Sequence, residues 1–233
     1  LKEFSNSGLP GTPFRRVYKK LLDLTYKQLV LSYLRRDRWY AYQGLRILVK
    51  PGVFHPGLFH STKLLIRYLA TADLKGKSVL EPGCGSGLIS IYAARRGADV
   101  TALDINKMAI ETTRMNAAMN QVDIRVVESD LMTALAPSSF DYIMINPPYY
   151  PRDPVNDAQK AWYCGSHFSY FHDLFRQLPA YCDGNSQVIM VLSEDCDLDS
   201  IRNIARTYGQ EMQLAAAKRN AFESNYLFRI RLV

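Results

Sequence analysis

Cysteine and histidine are scarce in this chain, four of each in 233 residues. Cys84, Cys164, Cys182 and Cys196 form no C-x-x-C pair and no paired metal spacing, which argues against a zinc ribbon or a redox dithiol. They read as reduced, buried thiols of a cytoplasmic protein. The histidines fall as His55 with His60 and His167 with His172. A five-residue spacing does not bring two imidazoles to one helix face. They read as packing or capping residues, and no metal site is expected. No apolar run reaches the roughly 18 residues that a membrane span requires, so no span is expected. The opening stretch, LKEFSNSGLPGTPFRR, has no apolar core of a secretory leader.

What is present builds a globular core: 48% of the residues are hydrophobic and 12% aromatic. The net charge of +7 is unevenly placed. Residues 1–50 hold eleven Lys or Arg against three Asp or Glu, and the rest of the chain is nearly balanced. From Phe14 to about Arg36, apolar residues recur at helical spacing, with Arg15, Arg16, Lys19, Lys20 and Lys27 mostly opposite. A basic amphipathic helix of this kind suits a phosphate backbone, with Trp39 and Tyr40 nearby for stacking. A solvated face and an anionic membrane surface are the competing readings.

WYAYQGLRILV alternates on both sides of Gln43-Gly44 and predicts a hairpin. PGVFHPGLFHS is a loop, after which Ser61 or Thr62 caps a helix running to about Ala72. From Lys77 onward, short apolar strands alternate with helices to the end of the chain. That order predicts an α/β domain with a mostly parallel sheet covered on both faces. Ligands in such sheets sit beyond the carboxyl ends of the strands, so function is expected in the residues just past each strand.

The first strand ends in EPGCGSG, Glu81 to Gly87. Gly83, Gly85 and Gly87 permit a tight turn and a close approach of backbone to ligand. The spacing is G-x-G-x-G, not the dinucleotide G-x-G-x-x-G, and no G-K-[ST] follows the loop. Glu81 would repel a diphosphate and would suit a cationic amine or sulfonium. The second strand ends at Asp104, twenty-one residues after Gly83, where a carboxylate accepts the hydroxyls of a ribose; helix capping by Asp104 or Asn106 is the bland alternative. The third ends at Asp130, placed to accept from an adenine amino group. Together these describe an adenosine pocket with a cationic tail, that of S-adenosylmethionine.

The fourth strand ends in Asn146-Pro147-Pro148-Tyr149. The prolines hold Asn146 extended and leave carbonyl oxygens without neighbouring N–H groups. The Asn146 side-chain oxygen and the Pro147 carbonyl can then accept both hydrogens of a planar NH₂, with Tyr149 stacked on it. A nicotinamide-dependent oxidoreductase is the alternative from another class, but it leaves N-P-P-Y without a task.

From E-P-G-C-G-S-G through Asp104 and Asp130 to N-P-P-Y, residues 77–150 resemble the class I S-adenosylmethionine-dependent methyltransferases that carry N-P-P-Y or N-P-P-F. Release-factor glutamine methyltransferases and RNA or DNA base N-methyltransferases both share this pattern. The resemblance implies a Rossmann-like fold whose seven-stranded sheet has its last strand antiparallel. It places Glu81, Gly83, Cys84, Gly85 and Gly87 at the methionine end, with Asp104 and Ile105 at the ribose. Asp130 and Leu131 fall at the adenine, and Asn146 to Tyr149 at the target nitrogen. The expected organisation is an N-terminal appendage on the substrate side, 1–60, followed by the methyltransferase domain, 61–233. A protein glutamine or a nucleic-acid base is the expected substrate, with RNA contact through the basic arm.

Overall fold

Gln43 and Gly44 both carry positive φ, 49° and 77°, the conformation of a two-residue turn whose twist matches the strands it joins. They link β1 (Arg38–Tyr42) to β2 (Leu45–Val49), which pair antiparallel from Arg38 opposite Val49 to Tyr42 opposite Leu45. The computed structural model describes residues 33–219 and 224–233. The helix expected over residues 14–36 lies almost entirely outside them. The chain divides into a short unit, 1–36, and a larger one, 37–233. The hairpin and the main sheet both belong to the larger unit.

Leu45, Ile47 and Val49 turn the apolar side of the hairpin into the same core as the following helix, α1 (Ser61–Ala70). The other edge of β2 is satisfied by side chains. Asn116 accepts from the Leu48 N–H at 2.8 Å and donates to the Leu48 carbonyl at 2.8 Å. One helical turn later, Asn120 treats Arg46 in the same way, at 3.0 and 2.7 Å. Two asparagines four residues apart lie on one helix face, so they act here as a surrogate strand. They belong to α3 (Lys107–Met119) and its C-terminal cap.

The main sheet has the order β5-β4-β3-β6-β7-β9-β8. Its parallel strands are β3 (Ser78–Pro82), β4 (Asp99–Asp104), β5 (Arg125–Glu128), β6 (Tyr142–Ile145) and β7 (Gln187–Ser193). The last strand, β9 (Ser224–Leu232), pairs antiparallel with both β7 and β8 (Gln210–Arg219). This is the Rossmann-like α/β fold that the sequence predicts, with the final strand reversed. β6 and β7 are buried on both faces, as their unbroken apolar runs require.

Two apolar cores lie on opposite faces. On one side, α1, α2 (Leu88–Arg95) and α3 cover Met144, Ile189, Val191 and Leu227. On the other, α5 (Ser169–Gln177) and α6 (Leu198–Thr207) bring Phe171, Phe175 and Ile201 against Ile145, Met190 and Phe228. Each fully buried Leu, Ile or Phe contributes roughly 1.5–3 kcal/mol of transfer free energy. A four-residue helix, α4 (Asp157–Lys160), and a 3₁₀ turn, Leu178–Tyr181, complete the described elements. Among the described residues no helix is long and apolar enough to cross a membrane. No group of three His, Cys, Asp or Glu there could hold a metal ion.

Candidate active site

The strand-to-helix loop after β3 is built by the backbone of β4. The N–H groups of Gly83 and Cys84 both donate to the Leu103 carbonyl, each at 2.8 Å. The Gly85 N–H donates to Asp104 Oδ2 at 2.9 Å, and Thr113 Oγ1 donates to the Gly85 carbonyl at 3.0 Å. Asn116, already bound to the hairpin, donates to the Ser86 carbonyl at 2.9 Å. Gly83 has φ 78°, and a Cβ there would stand in open space at the edge of a cavity. Gly87 serves differently. Its φ is 79°, and a Cβ would meet Thr113 Cγ2 at 2.7 Å. It makes close helix contact possible and does not line the cavity.

That cavity, about 290 Å³, opens at the carboxyl edge of the sheet. Glu81, Gly83, Cys84 and Gly85 line it from β3, and Asp104 and Ile105 from β4. Asp130 and Leu131 follow β5, and Asn146 to Tyr149 follow β6. Apart from Gly87, every site residue expected from the sequence therefore borders one space.

Glu81 is 3% exposed. Its Oε2 accepts from the Ser90 N–H at 2.9 Å and from the Ser90 hydroxyl. Burial nevertheless pushes its carboxyl up to about 8, so near neutral pH it is poised between charged and neutral forms. Burial also raises the Asp104 carboxyl, against the N–H donors of Asn106 and Gly85. The N-cap of α3 is Asn106, whose side chain accepts from the Met108 N–H, so Asp104 is not the cap. Leu131 is buried with φ 50°, an uncommon conformation for a side chain of its size.

At the fourth strand end, Pro147 and Pro148 are buried, and Asn146 and Tyr149 are half-buried. The Tyr149 hydroxyl donates to Asn146 Oδ1 at 3.2 Å. The N–H groups of Tyr149 and Tyr150 both donate to the Trp162 carbonyl, at 3.1 and 2.9 Å. The corner is thus clamped from the 162–164 segment, and one lone pair of the Asn146 oxygen is already engaged.

Several lining residues were not legible as such. Phe54, Phe59 and Trp162 form a cluster of rings with centroids 5.0 to 5.4 Å apart, all lining the cavity. Tyr170 lines it too; burial first, then the nearby Asp104 and Asp130 charges, raises its phenol above the ordinary range. The only hint was aromatics inside Gly/Pro-broken or aperiodic stretches. Of the two aromatics expected to stack, Trp39 is exposed beneath Arg46. Tyr40 packs against Tyr42 and His55.

A Rossmann-like sheet with a glycine cradle, a buried Glu81, a half-buried Asp104 and a cluster of aromatic rings lining the cavity at its carboxyl edge defines a nucleotide-cofactor enzyme, and these residues fit an adenosine with a cationic tail. Residues 44–219 match the methyltransferase small domain. The chain belongs to this family, and with it to the S-adenosylmethionine-dependent methyltransferases; the nicotinamide alternative falls. Over 110 residues it is 40% identical to a Methanocaldococcus jannaschii protein provisionally named a protein N5-glutamine methyltransferase, covering 47% of this chain and 53% of that one. It is 34% identical over 116 residues to the ribosomal RNA small subunit methyltransferase C of Chromohalobacter salexigens, covering 48% of this chain and 34% of the relative. The matches thus span about half or less of these curated relatives. The fold is similar to that of the Thermus thermophilus 16S rRNA N2 G1207 methyltransferase in complex with AdoMet and guanosine. That comparison gives a TM-score of 0.59 at 19% identity and covers 84% of this chain and 50% of that one.

Proposed function

We propose that this protein methylates a planar NH₂ nitrogen, either a glutamine side-chain amide of a protein or an exocyclic amine of an RNA or DNA base. The observation that carries this reading is the position of Asn146, on the same cavity as the glycine loop and held by Tyr149.

When bound, S-adenosylmethionine supplies an electrophilic methyl group on a sulfonium. Glu81, Gly83, Cys84 and Gly85 would hold its methionine end, Asp104 and Ile105 its ribose, and Asp130 and Leu131 its adenine. A planar NH₂ is a poor nucleophile because its lone pair is delocalised into the π-system. The Asn146 oxygen and the Pro147 carbonyl accept its two hydrogens and so favour the nitrogen as positive charge develops on it. The Tyr149 hydroxyl fixes which way the Asn146 amide faces. Orientation of the lone pair into the cavity supplies the rest. No strong base is required, because the proton leaves after the new bond has formed.

The names of the relatives support both substrate classes, a protein glutamine and a ribosomal RNA. The positive charge of the first fifty residues supports contact with RNA. A translational substrate would place the protein in the cytoplasm. The test is Asn146→Ala: turnover is expected to fall about 100-fold or more, with the Kd for S-adenosylhomocysteine within about twofold of wild type. Undiminished turnover in that variant would sink the assignment.

A further inference from the structure

Tyr170 lines the cavity, and among the described residues its hydroxyl has no hydrogen-bond partner. A tyrosine hydroxyl this enclosed ordinarily finds one. Its ring packs edge to face on Phe171, with centroids 5.4 Å apart and planes at 83°, and Phe171 is completely buried. Apolar contact therefore sets the ring before any ligand arrives, and no protein group claims its polar tip. Burial, and after it the charges of Asp104 and Asp130, hold the phenol above its ordinary range. It therefore stays protonated and can donate. Both carboxylates line the same cavity, so the hydroxyl that feels them stands on the cavity side of the ring.

The helix that carries Tyr170 fixes which part of the cavity it serves. Gln177 follows it by seven residues in α5, two turns later and on the same stripe of the helix. Gln177 Oε1 accepts from the Met132 N–H at 3.0 Å, and Leu131 and Met132 share a core with Phe171 and Leu174. This stripe of α5 thus lies along the segment that follows β5. Asp130 and Leu131 line the cavity, and so does Tyr170 at the near end of the helix. The hydroxyl therefore belongs to the adenine end and not to the acceptor corner at Asn146.

We propose that Tyr170 is a cofactor-binding residue whose hydroxyl donates a hydrogen bond to a ring nitrogen of the adenine. The inference rests on the placement of adenine at Asp130 given above. Ionised carboxylates only accept hydrogen bonds, so Asp104 and Asp130 serve the donors of an adenosine, its ribose hydroxyls and its amino group. The ring nitrogens of adenine are acceptors, and neither carboxylate can satisfy them. A protonated phenol supplies the donor that this pair lacks. Because the ring is already held by Phe171, the bond forms with little further loss of side-chain freedom.

The experiment is calorimetric titration of wild type, Tyr170→Phe and Asp130→Ala with S-adenosylhomocysteine and with its 1-deaza, 3-deaza and 7-deaza adenine analogues. Tyr170→Phe keeps the contact with Phe171 and removes only the hydroxyl. Its Kd for S-adenosylhomocysteine is expected to rise about three- to tenfold. The Tm of the ligand-free variant should match that of wild type, since the hydroxyl has no partner to lose. One deaza analogue should bind wild type more weakly by a similar factor, and Tyr170→Phe should not distinguish it from S-adenosylhomocysteine. Wild-type affinity in Tyr170→Phe overturns the role of the residue, as do deaza analogues that lose the same factor in both proteins. A fall in the Tm of the ligand-free variant together with its affinity shows a structural role and overturns it as well. If Asp130→Ala binds S-adenosylhomocysteine as wild type does, the placement of the adenine falls, and this inference with it. Weakened binding by Asp130→Ala beside unchanged binding by Tyr170→Phe overturns the inference alone.

Discussion

Glu81 couples this site to pH. Burial lifts its carboxyl from 4.5 to about 8, so between those values the folded protein keeps a proton that the unfolded chain has released. Its contribution to stability is therefore lost as pH rises through that window. Glu81→Gln keeps an oxygen for the two Ser90 donors and removes the titration. We expect the Tm of the variant, relative to wild type, to increase from about pH 5 to about pH 8. A cation placed beside Glu81 favours its ionised form, so wild type should bind S-adenosylmethionine more tightly as pH rises across the same range, with a flat profile for Glu81→Gln. Parallel calorimetric titrations of the two proteins check this; identical pH profiles would remove Glu81 from the methionine end. From the sequence, Glu81 was legible as a carboxylate near the ligand but not as a buried one. Its pairing with Ser90 depends on the packing of α2 against β3, which residue spacing does not reveal.

Among the elements, α3 links the hairpin to the glycine loop. Asn116 is fully buried and makes three hydrogen bonds, two to Leu48 and one to the Ser86 carbonyl. Asn116→Ala strands a buried donor and two acceptors, and we expect it to destabilise the protein by about 2–4 kcal/mol in urea unfolding. Asn120→Ala, whose bonds are mostly exposed, should cost much less. Equal, small effects would mean that the hairpin docks by apolar contact alone. The hairpin was legible from Gln43-Gly44 and the alternation around it, and each parallel strand from its apolar run. β8 was not: Gln210–Arg219 is largely exposed and carries three consecutive alanines, so neither alternation nor β-propensity marks it. The start of α1 also escaped sequence reasoning. His60 stands at the N-cap and no side chain caps the helix, because Ser61 lies inside it with its hydroxyl buried.

At the scale of the whole molecule, the order of strands decides where chemistry can occur. Placing β3 centrally brings the ends of β4, β5 and β6 around one cavity, so motifs scattered from residue 81 to 149 become neighbours. That convergence was legible because it follows from topology alone. The aromatic cluster was not, since Phe54, Phe59 and Trp162 come from two loops whose meeting no periodicity encodes. One act is central to the proposed chemistry: a flat nitrogen, held by both of its hydrogens at Asn146, receives the methyl group. Tandem mass spectrometry of the labelled product tests it most directly. The predicted result is a methyl on an NH₂ nitrogen conjugated to a carbonyl or a ring; a methyl on oxygen, carbon or sulfur would contradict it.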